Sequence, residues 1–394
     1  MVYFPPMDKN ERLMSLDALR GADMLCIMGF SGALIALCSL LGFGKDCWLA
    51  TQMTHVAWHG IRQHDTIFPM FLFLAGVSWP FSFASQEARG RSTGRIVCKI
   101  LIRVFLLCLL GLMRSEAFWK FEFASVRYDS ILAHIGICWA VAALLAMFVR
   151  NFWTRLGIVA ALLVAQFLVF KLFAAPDAAA LLASTDADTA RRVASYAAYG
   201  TDNFSFTGNI AGWIDRTYMP GRLSEVIFDA DGLLAKITGI AIAMCGVFAG
   251  ELLRKPETSG GRKTLFLLGA GGLSIALAWA WSPWCVINKK LWTSSFSLAA
   301  VGYSLVALAL FYFVIDVLHW RWWAFPFRVI GMNSITIYML MYFVGFYAIS
   351  RKVFAGVASF GNDSWASLVY AFGQVLIEWL VLLWLYRKDT FLRV

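Results

Sequence analysis

Long apolar runs constrain this chain more than any other feature. Ten segments of about 20 mostly apolar residues recur along its 394 residues. A helix of that length spans the hydrocarbon core of a bilayer, and in lipid only helices and closed barrels satisfy their backbone hydrogen bonds. The sequence therefore predicts an all-α integral membrane protein with about ten transmembrane helices, at approximately 14–42, 66–86, 96–114, 129–149, 154–174, 229–253, 264–283, 293–318, 325–348 and 366–387.

The composition excludes a soluble globule. Hydrophobic residues make up 60% of the chain and charged residues only 15%, whereas a soluble domain is about half apolar and about a quarter charged. Too little polar surface remains to cover a water-soluble fold of this size. The ninth run is expected to be the least regular, because Gly331, Asn333 and Ser334 interrupt it.

The distribution of basic residues predicts the orientation. With the N-terminus inside, the inner segments carry seventeen Lys and Arg residues and the short outer loops carry nine, so the positive-inside bias places both termini in the cytoplasm. We expect one transmembrane domain, 1–394. Its long connection, 175–228, is expected to lie on the outer side, and the second part of that connection is expected to form a cap. No small-residue cleavage pattern follows the first run, which is therefore expected to stay in the protein as a span.

A cluster of ionisable residues lies at the entrance of the second span. His55, His59, His64 and Asp65 precede the apolar run there, and such residues are costly to desolvate, which indicates a functional site. A histidine can accept a proton at neutral pH and return it. On one straight helix His55 and Asp65 would be about 15 Å apart, so they can meet only if the chain turns, which Gly60 allows.

Other interpretations of this cluster stay open from the residues alone. His55 and His59 are four residues apart and would share a helix face, a spacing that can hold a metal. No third ligand is evident, however, and we expect no metal site. Interfacial histidines that only cap the spans are a second alternative, which we favour for His59 and His64. Asp65 has the alternative role of capping the second span.

Several polar residues elsewhere are candidate ligands of a substrate. Asp17 and Arg20 are three residues apart and either pair on one helix face or present Arg20 to a phosphate on the cytoplasmic side. Arg103 and His134 lie within apolar runs, where polar groups usually face the bundle interior.

Two further polar segments flank late spans. Asn288, Lys289 and Lys290 come just before the eighth span, and Asn333 and Ser334 lie within the ninth. Each of them has the alternative role of hydrogen bonding between helices.

Cysteine content and net charge add weaker constraints. The eight cysteines lack metal-binding spacing and are interpreted as buried small side chains. Cys47 and Cys285 fall at span ends on the same predicted side, so a disulfide between them is an alternative. The net charge of +10 is attributed to inner loops that face anionic membrane lipid and an anionic co-substrate, and not to nucleic-acid binding.

Seven stretches of the sequence together point to one family. They are RLMSLDALRGADM (12–24), HVAWHGIRQHDTIFPMFLFLAGVS (55–78), VRYDSILAHIG (126–136), GWIDRTYMPGRL (212–223), FDADGLLAKITGIAIAMCGVFAGELL (228–253), NKKLWTSSF (288–296) and GMNSITIYM (331–339). In this order they resemble the heparan-α-glucosaminide N-acetyltransferase family and its bacterial relatives, which are multipass membrane acetyltransferases. Each stretch is weak by itself, but their shared order and the ten-span pattern make the resemblance specific at family level.

The resemblance implies transfer of an acetyl group from cytoplasmic acetyl-CoA to an acceptor across the membrane, with no metal. His55 matches the family's catalytic histidine and Asp65 the acid before its FP motif. Further residues are expected to bind the acceptor or to meet acetyl-CoA. The expected acceptor ligands are Arg127, Asn288, Lys289 and Asn333, and the expected acetyl-CoA ligands are Asp17, Arg20 and Arg103.

Three departures from the family pattern put the acceptor in doubt. Human-type members carry an asparagine late in the first span that assists the histidine, and here Ser31 is the only small polar side chain in that neighbourhood. His59 stands where members often have asparagine, and His134 where they commonly have arginine. From the resemblance we expect an amino-sugar acceptor such as a terminal glucosamine of a glycosaminoglycan-like chain, and a location in the bacterial inner membrane.

The expected mechanism leaves two routes open, since His55 can act as the base for direct transfer or carry the acetyl group transiently. Three rival functions also stay open: an O-acetyltransferase of envelope polysaccharide, a transporter or lipid flippase, and an inactive relative that serves as an assembly partner. The sequence does not decide the oligomeric state, of which a homodimer is one option.

Overall fold

The described part of the chain is almost entirely helical. The computed structural model describes residues 13–392, in which the only β-type pairings are two isolated bridges. Nine helices in this range are long and apolar enough to cross a membrane, and one bent helix pair makes a tenth candidate. The predicted all-α fold with about ten spans is therefore confirmed. Residues 1–12 and Arg393, which contribute to the predicted inner charge, lie outside the described range.

The first half of the chain holds five spans. The first is bent, because a π-helical segment, Cys26–Phe30, joins two α-helices. Short helices and a 3-10 turn, Phe123–Ser125, lie in the connections between spans. In chain order the helices are α1 (Met14–Leu25), α2 (Ser31–Leu40), α3 (Trp48–Gln52), α4 (Gln63–Ala88), α5 (Thr93–Met113), α6 (Glu116–Trp119), α7 (Ile131–Phe148) and α8 (Phe152–Leu172).

The long connection after α8 is folded. It contains α9 (Ala178–Leu182), α10 (Ala187–Ser195), a 3-10 turn (Ala197–Tyr199) and α11 (Ile210–Tyr218). Its aromatic side chains surround Trp58, which comes from the loop before α4. This cluster, which we call the cap core, includes Trp58, Phe170, Tyr196, Phe204, Phe206 and Phe228. The connection thus forms a cap with a hydrophobic core of its own.

The second half supplies the remaining spans. The ninth is broken at Asn333, where its two helices are bent by 61°, as the interrupting polar residues predict. The helices are α12 (Ala235–Arg254), α13 (Gly260–Trp281), α14 (Ser294–Tyr312, continued by a π-helical segment, Phe313–Val317), α15 (Phe325–Met332, after the 3-10 turn Trp322–Ala324), α16 (Ser334–Phe343), α17 (Phe346–Val353), α18 (Ala355–Ala358) and α19 (Asp363–Arg387).

Helix starts follow from local sequence. The side chains of Ser130, Asn151, Thr293 and Asn362 each accept a hydrogen bond from a backbone N–H in the first turn of the helix that follows. Such caps satisfy N–H groups that have no partner within the helix. In a membrane protein they matter more, because lipid offers no replacement partner.

Helices α4 and α12 form the centre of the bundle and pack closely. Their contact is made by glycines: a Cβ on Gly246 would lie 3.0 Å from the backbone nitrogen of Val77. Small residues let two helix backbones approach in lipid. This close contact fixes α4 around Val77, whereas the first turn of the helix, at Gln63, belongs to the cluster of ionisable residues.

The two cysteines considered for a disulfide do not pair. All eight cysteines lie in the described range and are free thiols. Cys285 is buried in the cap core, whereas the thiol of Cys47 lies beside that of Cys38 at the end of α2. The alternative of a bond between Cys47 and Cys285 is therefore wrong for this structure.

Candidate active site

The loop that carries His55 is held at two points. The indole nitrogen of Trp58 donates a hydrogen bond to the carbonyl of Phe204 in the cap at 3.0 Å. The backbone N–H of Gly60 donates to the carbonyl of Ile287 at 2.8 Å, and Gly60 has a φ of 114°. Glycine adopts that conformation at little cost. The loop is thus fixed between the cap and the connection from α13 to α14.

The turn at Gly60 brings His55 onto Asp65. The ring nitrogen Nδ1 of His55 lies 2.8 Å from Oδ1 of Asp65. The other carboxylate oxygen, Oδ2, accepts the backbone N–H groups of Arg62 at 3.0 Å and Val56 at 3.3 Å. Asp65 lies in the first turn of α4 and accepts from the backbone of Arg62, which is the N-cap residue. Asp65 thus takes part in capping α4 from inside the helix, not as the N-cap residue itself, and contacts His55 at the same time.

This contact decides which nitrogen of His55 is available. A carboxylate accepts hydrogen bonds only, and Oδ1 of Asp65 at 2.8 Å is nearer to Nδ1 than the amine of Lys289 at 3.1 Å. We therefore assign the proton to Nδ1 and the lone pair to Nε2. The side chain of His55 is 53% exposed while that of Asp65 is 1% exposed. A buried carboxylate behind a half-exposed imidazole is the arrangement that prepares a histidine to act as a general base.

Lys289 completes this group from the connection before α14. Its ammonium lies 3.1 Å from Nδ1 of His55 and 3.6 Å from Oδ1 of Asp65. Burial lowers the pKa of Lys289 below its usual value, and the charges of Asp65 and Asp231 oppose that shift. A cation at this position can stabilise negative charge that develops on a substrate near His55.

Asn288 is buried next to Lys289. Its side-chain oxygen accepts the backbone N–H of Leu291 at 3.0 Å. Its amide nitrogen is buried and has no hydrogen-bond partner in the described chain. An unused buried donor is costly and is therefore available to a bound molecule.

His64 and Ser31 also lie at the site, although the sequence did not indicate that they contact each other. The rings of His64 and His55 are 4.5 Å apart between centroids, and Nδ1 of His64 is 3.3 Å from the hydroxyl oxygen of Ser31. The interpretation of His64 as an interfacial cap is therefore incomplete. The spacing to Phe68, one helical turn later on the same face, was the signal that could have revealed its position.

An internal cavity of about 330 Å³ lies below the histidines. It is lined by α1, α4, α5, α7 and the broken ninth span, and along α4 it extends from Ser78 to Phe68. Ten residues of helix correspond to about 15 Å. The cavity ends at Phe68, about one helical turn below His64.

The opposite end of the cavity is basic. Arg20 and Arg103 line it. Arg20 contacts Asp17 at 3.2 Å and donates to the hydroxyl of Ser78 at 3.1 Å, and the guanidinium of Arg103 lies 4.1 Å from the ring centroid of Trp139. The predicted pairing of Asp17 with Arg20 is present. The structure thus places Arg20 and Arg103 at one end of the cavity, with Asp17 beside Arg20, and places His55 and His64 beyond the other end.

Arg127 lies in a separate ionic network. It contacts Asp229 at 2.6 Å and Asp231 at 2.7 Å, and the amine of Lys236 pairs with Asp129. Burial raises the pKa of Asp129 to about 6 although Lys236 opposes the shift. Arg127 thus connects the chain before α7 to the chain before α12, and these bonds occupy the charge that was expected to bind substrate.

Asn333 is also used within the protein. At the break between α15 and α16 its amide nitrogen donates to the carbonyl of Thr390 at 3.2 Å, and its side-chain oxygen accepts from Thr336 at 3.3 Å. Its neighbours Met332 and Ser334 line the cavity. The structure does not bring Asn333 to His55. Within residues 13–392 no group of three or more His, Cys, Asp or Glu side chains is placed to hold a metal ion.

Comparison with known proteins gives two related chains. No family model matches. The chain is 27% identical over 350 residues to heparan-alpha-glucosaminide N-acetyltransferase of Mus musculus, covering 80% of this chain and 52% of that protein. It is 26% identical over 369 residues to the enzyme of the same name from Homo sapiens, covering 83% of this chain and 52% of that protein. The chain is a distant relative of these proteins and spans about half of their length.

Proposed function

We propose that this protein is a membrane acetyltransferase that takes the acetyl group of cytoplasmic acetyl-CoA and transfers it to an amino sugar on the other side of the membrane. The observation that carries the proposal is the cavity, which extends from a basic end at Arg20 and Arg103 to within about one helical turn of the histidine site. The relationship to the two transferases supports the same chemistry.

The dimensions of the cavity suit one part of acetyl-CoA. Pockets for small ligands have volumes of about 300–1,000 Å³, and 330 Å³ is suited to the slender acetyl-pantetheine arm. The nucleotide part would stay at the basic end, where Arg20 and Arg103 meet its phosphates. The thioester would pass between Phe68 and its neighbours, which requires a side-chain movement at the closed end.

His55 acts as the base in this proposal. Its Nε2 removes a proton from the amino group of the acceptor as that group attacks the thioester carbon, and Asp65 stabilises the imidazolium that forms. Lys289, 3.1 Å from His55, can stabilise the oxyanion, and the unused amide donor of the neighbouring Asn288 is a further candidate. A general base of this kind contributes about 10²–10⁴-fold to the rate.

The test uses purified full-length protein in nanodiscs with acetyl-CoA and glucosamine. We expect release of the CoA thiol and formation of N-acetylglucosamine, and a loss of about 10²–10⁴-fold in kcat for His55→Ala. His59→Ala, on the same loop, is the matched control and should keep wild-type kcat. Equal activity of the two variants would show that His55 takes no part in the reaction. The proposed function would be refuted if the wild-type protein transferred acetyl groups to no amine or hydroxyl acceptor.

Further readouts separate the remaining routes. Parallel double-reciprocal lines together with a trapped acetyl-enzyme would show that His55 carries the acetyl group. An ester in place of an amide in the product would identify an O-acetyltransferase. In proteoliposomes, transfer to an external acceptor from acetyl-CoA supplied only in the lumen, or the reverse, reports the two-sided arrangement.

A further inference from the structure

The second histidine of the site has no role in the mechanism above. His64 is next to Asp65 in sequence, yet its ring lies over that of His55 at 4.5 Å between centroids. Its Nδ1 contacts Ser31 of the first span at 3.3 Å. The two rings are in van der Waals contact, and each has a different hydrogen-bond partner at Nδ1. They can therefore differ in whether Nε2, the nitrogen left for a substrate, carries a proton.

His64 continues the cavity-lining face of α4. The residues of this helix that line the cavity are Phe68, Phe71, Ala75 and Ser78, which are spaced by three, four and three residues and so share one face. The preceding position on that face is four residues before Phe68, and it is His64. A linear chain that rises through the cavity therefore reaches His64 as it reaches the site.

The position of Ser31 depends on the π-helical segment of the first span. In this segment Gly29 has a φ of 108°, and the amide nitrogen of Gln374 from α19 donates to the carbonyl of Met28 at 3.2 Å. At Gly29 the backbone leaves the helical conformation, so the segment is a kink between two helices, and the residues after it are turned relative to those before it. Here the first residue after the segment is Ser31.

Ser31 is the hydrogen-bond partner of His64 at Nδ1. Its hydroxyl oxygen lies 3.3 Å from that nitrogen, and the thiol of Cys26 is its other polar neighbour. A hydroxyl can donate or accept; because an imidazole nitrogen is a better acceptor than a thiol, we assign the hydroxyl as the donor to Nδ1. A neutral histidine that accepts at Nδ1 carries its proton at Nε2.

We infer that His55 and His64 are held in complementary tautomers and divide the reaction between them. His55, which donates through Nδ1 to Asp65, presents a bare Nε2 and is the base. His64, which accepts at Nδ1 from Ser31, presents an Nε2–H and donates to the carbonyl oxygen of the thioester. A neutral histidine that polarises a carbonyl is established chemistry in another enzyme. Ser31 acts as a positioning residue. This inference rests on the proposed function.

The step balances with these groups alone. The amine nitrogen of the acceptor bonds to the thioester carbon, and the carbonyl electron pair moves to oxygen, where the Nε2–H of His64 stabilises it. Nε2 of His55 takes the proton from the amine nitrogen. The carbon–sulfur bond then breaks with its electrons on sulfur, the carbonyl re-forms, and the proton on His55 goes to the thiolate to give free CoA.

The kinetic test compares His64→Phe with His64→Gln. Loss of one donor to an oxyanion costs about 10²–10³-fold in kcat, so we expect that loss in the Phe variant, with KM for acetyl-CoA within about threefold. The Gln variant keeps an N–H donor and should recover at least about tenfold. The control is His59→Phe, an exposed ring on the same loop, which should keep wild-type kcat. A kcat for His64→Phe within about threefold of wild type would overturn the inference and leave the proposed function standing.

A spectroscopic test does not depend on turnover. In protein labelled with ¹⁵N-histidine, assigned by comparison with the His64 variants, we expect His64 in the Nε2–H form and His55 in the Nδ1–H form. Ser31→Ala should release His64 into a mixture of tautomers and leave His55 unchanged. A wild-type His64 with its proton on Nδ1 would overturn the inference.

A second readout concerns the thioester itself. In the His55→Ala background the carbonyl stretch of ¹³C-labelled acetyl-CoA should shift to lower frequency on binding, and His64→Phe should abolish that shift. An unchanged shift would overturn the inference even if the protein transfers acetyl groups. A protein that shows the expected tautomers and carbonyl shift but no transfer would refute the proposed function alone.

Discussion

The replacement of Asp65 by asparagine tests the geometry of the site most directly. In the native protein Oδ1 accepts from Nδ1 of His55 at 2.8 Å and Oδ2 accepts from two backbone N–H groups. All of these partners are donors. Asparagine has one oxygen that accepts and one NH₂ group that donates. It can therefore accept either from His55 or from the backbone N–H groups, but not from both.

The two outcomes of Asp65→Asn have different signatures. If the asparagine oxygen stays with the backbone N–H groups, its NH₂ faces His55 and donates to Nδ1, which forces the proton to Nε2 and removes the base. If the oxygen turns to His55, the NH₂ opposes the N–H groups of Arg62 and Val56, and the start of α4 loses its cap. A lost cap costs about 0.5–2 kcal/mol of stability, whereas the wrong tautomer costs activity. The backbone contacts outnumber the ring contact, so we expect the first outcome.

The size of the effect follows from related chemistry. In the serine-protease triad the same change lowers kcat by about 10⁴. Here His55 is half exposed and its ring can turn, so we expect a loss of about 10²–10⁴, which is about 2.7–5.4 kcal/mol of transition-state stabilisation. The assay is kcat from CoA thiol release at saturating acetyl-CoA, together with thermal unfolding in the same nanodiscs.

The control and the refuting result are both accessible. Asp46→Asn changes an exposed acid in the preceding loop and should keep wild-type kcat and Tm. A folded Asp65→Asn protein with kcat within about threefold of wild type would show that the contact between His55 and Asp65 does not prepare the base.

Three further predictions concern stability. Because burial raises the pKa of Asp129 to about 6 from 3.8, the folded state binds more protons than the unfolded state between these values. Its contribution to unfolding free energy therefore falls as pH rises from about 4 to about 6, and Asp129→Asn should remove that part of the slope of Tm against pH; an unchanged slope contradicts it. Glu251→Gln should lower Tm more than Arg155→Met. The first change leaves the guanidinium of Arg155, which is 5% exposed, without its partner, whereas the second leaves the carboxylate of Glu251, which is 33% exposed and can be hydrated. The reverse order of the two Tm values would contradict this. Gly246→Ala should destabilise the protein by about 1–3 kcal/mol through overpacking, whereas Gly272→Ala, with open space around it, should leave Tm unchanged, and equal Tm values would refute the close contact.

Much of the fold follows from apolar run length. The helix from 63 to 88 was predicted at 66–86 and the one from 294 to 317 at 293–318, because lipid thickness sets the length of a span. The predicted irregularity at Asn333 is the bend between α15 and α16. Orientation was predicted from loop charge, and it stays a prediction.

The site was predictable only where contacts are local in sequence. His55 and Asp65 meet through one turn at Gly60, which the sequence already indicates. The contact of His64 with Ser31 depends on a kink at Gly29, whose position no periodicity reveals. The ion pairs of Arg127 could not be predicted, because its partner Asp229 is 102 residues away in the chain and one sequence does not show which distant acids an arginine will meet; a role of Arg127 in substrate binding stays a prediction.

The aromatic end of the cavity has a consequence for the permeability of the membrane to ions. Phe68 packs against the rings of His134 and Trp292, with ring centroids 5.3 and 5.1 Å away, so that aromatic rings surround the end of the cavity that is nearest to His55 and His64. If acetyl-CoA reacts as proposed, only the tip of one flexible arm has to pass this point. Only the two-carbon acetyl group then crosses the membrane, while the sugar, the nucleotide and ions each stay on their own side. The reaction therefore does not dissipate the cell's electrochemical gradient.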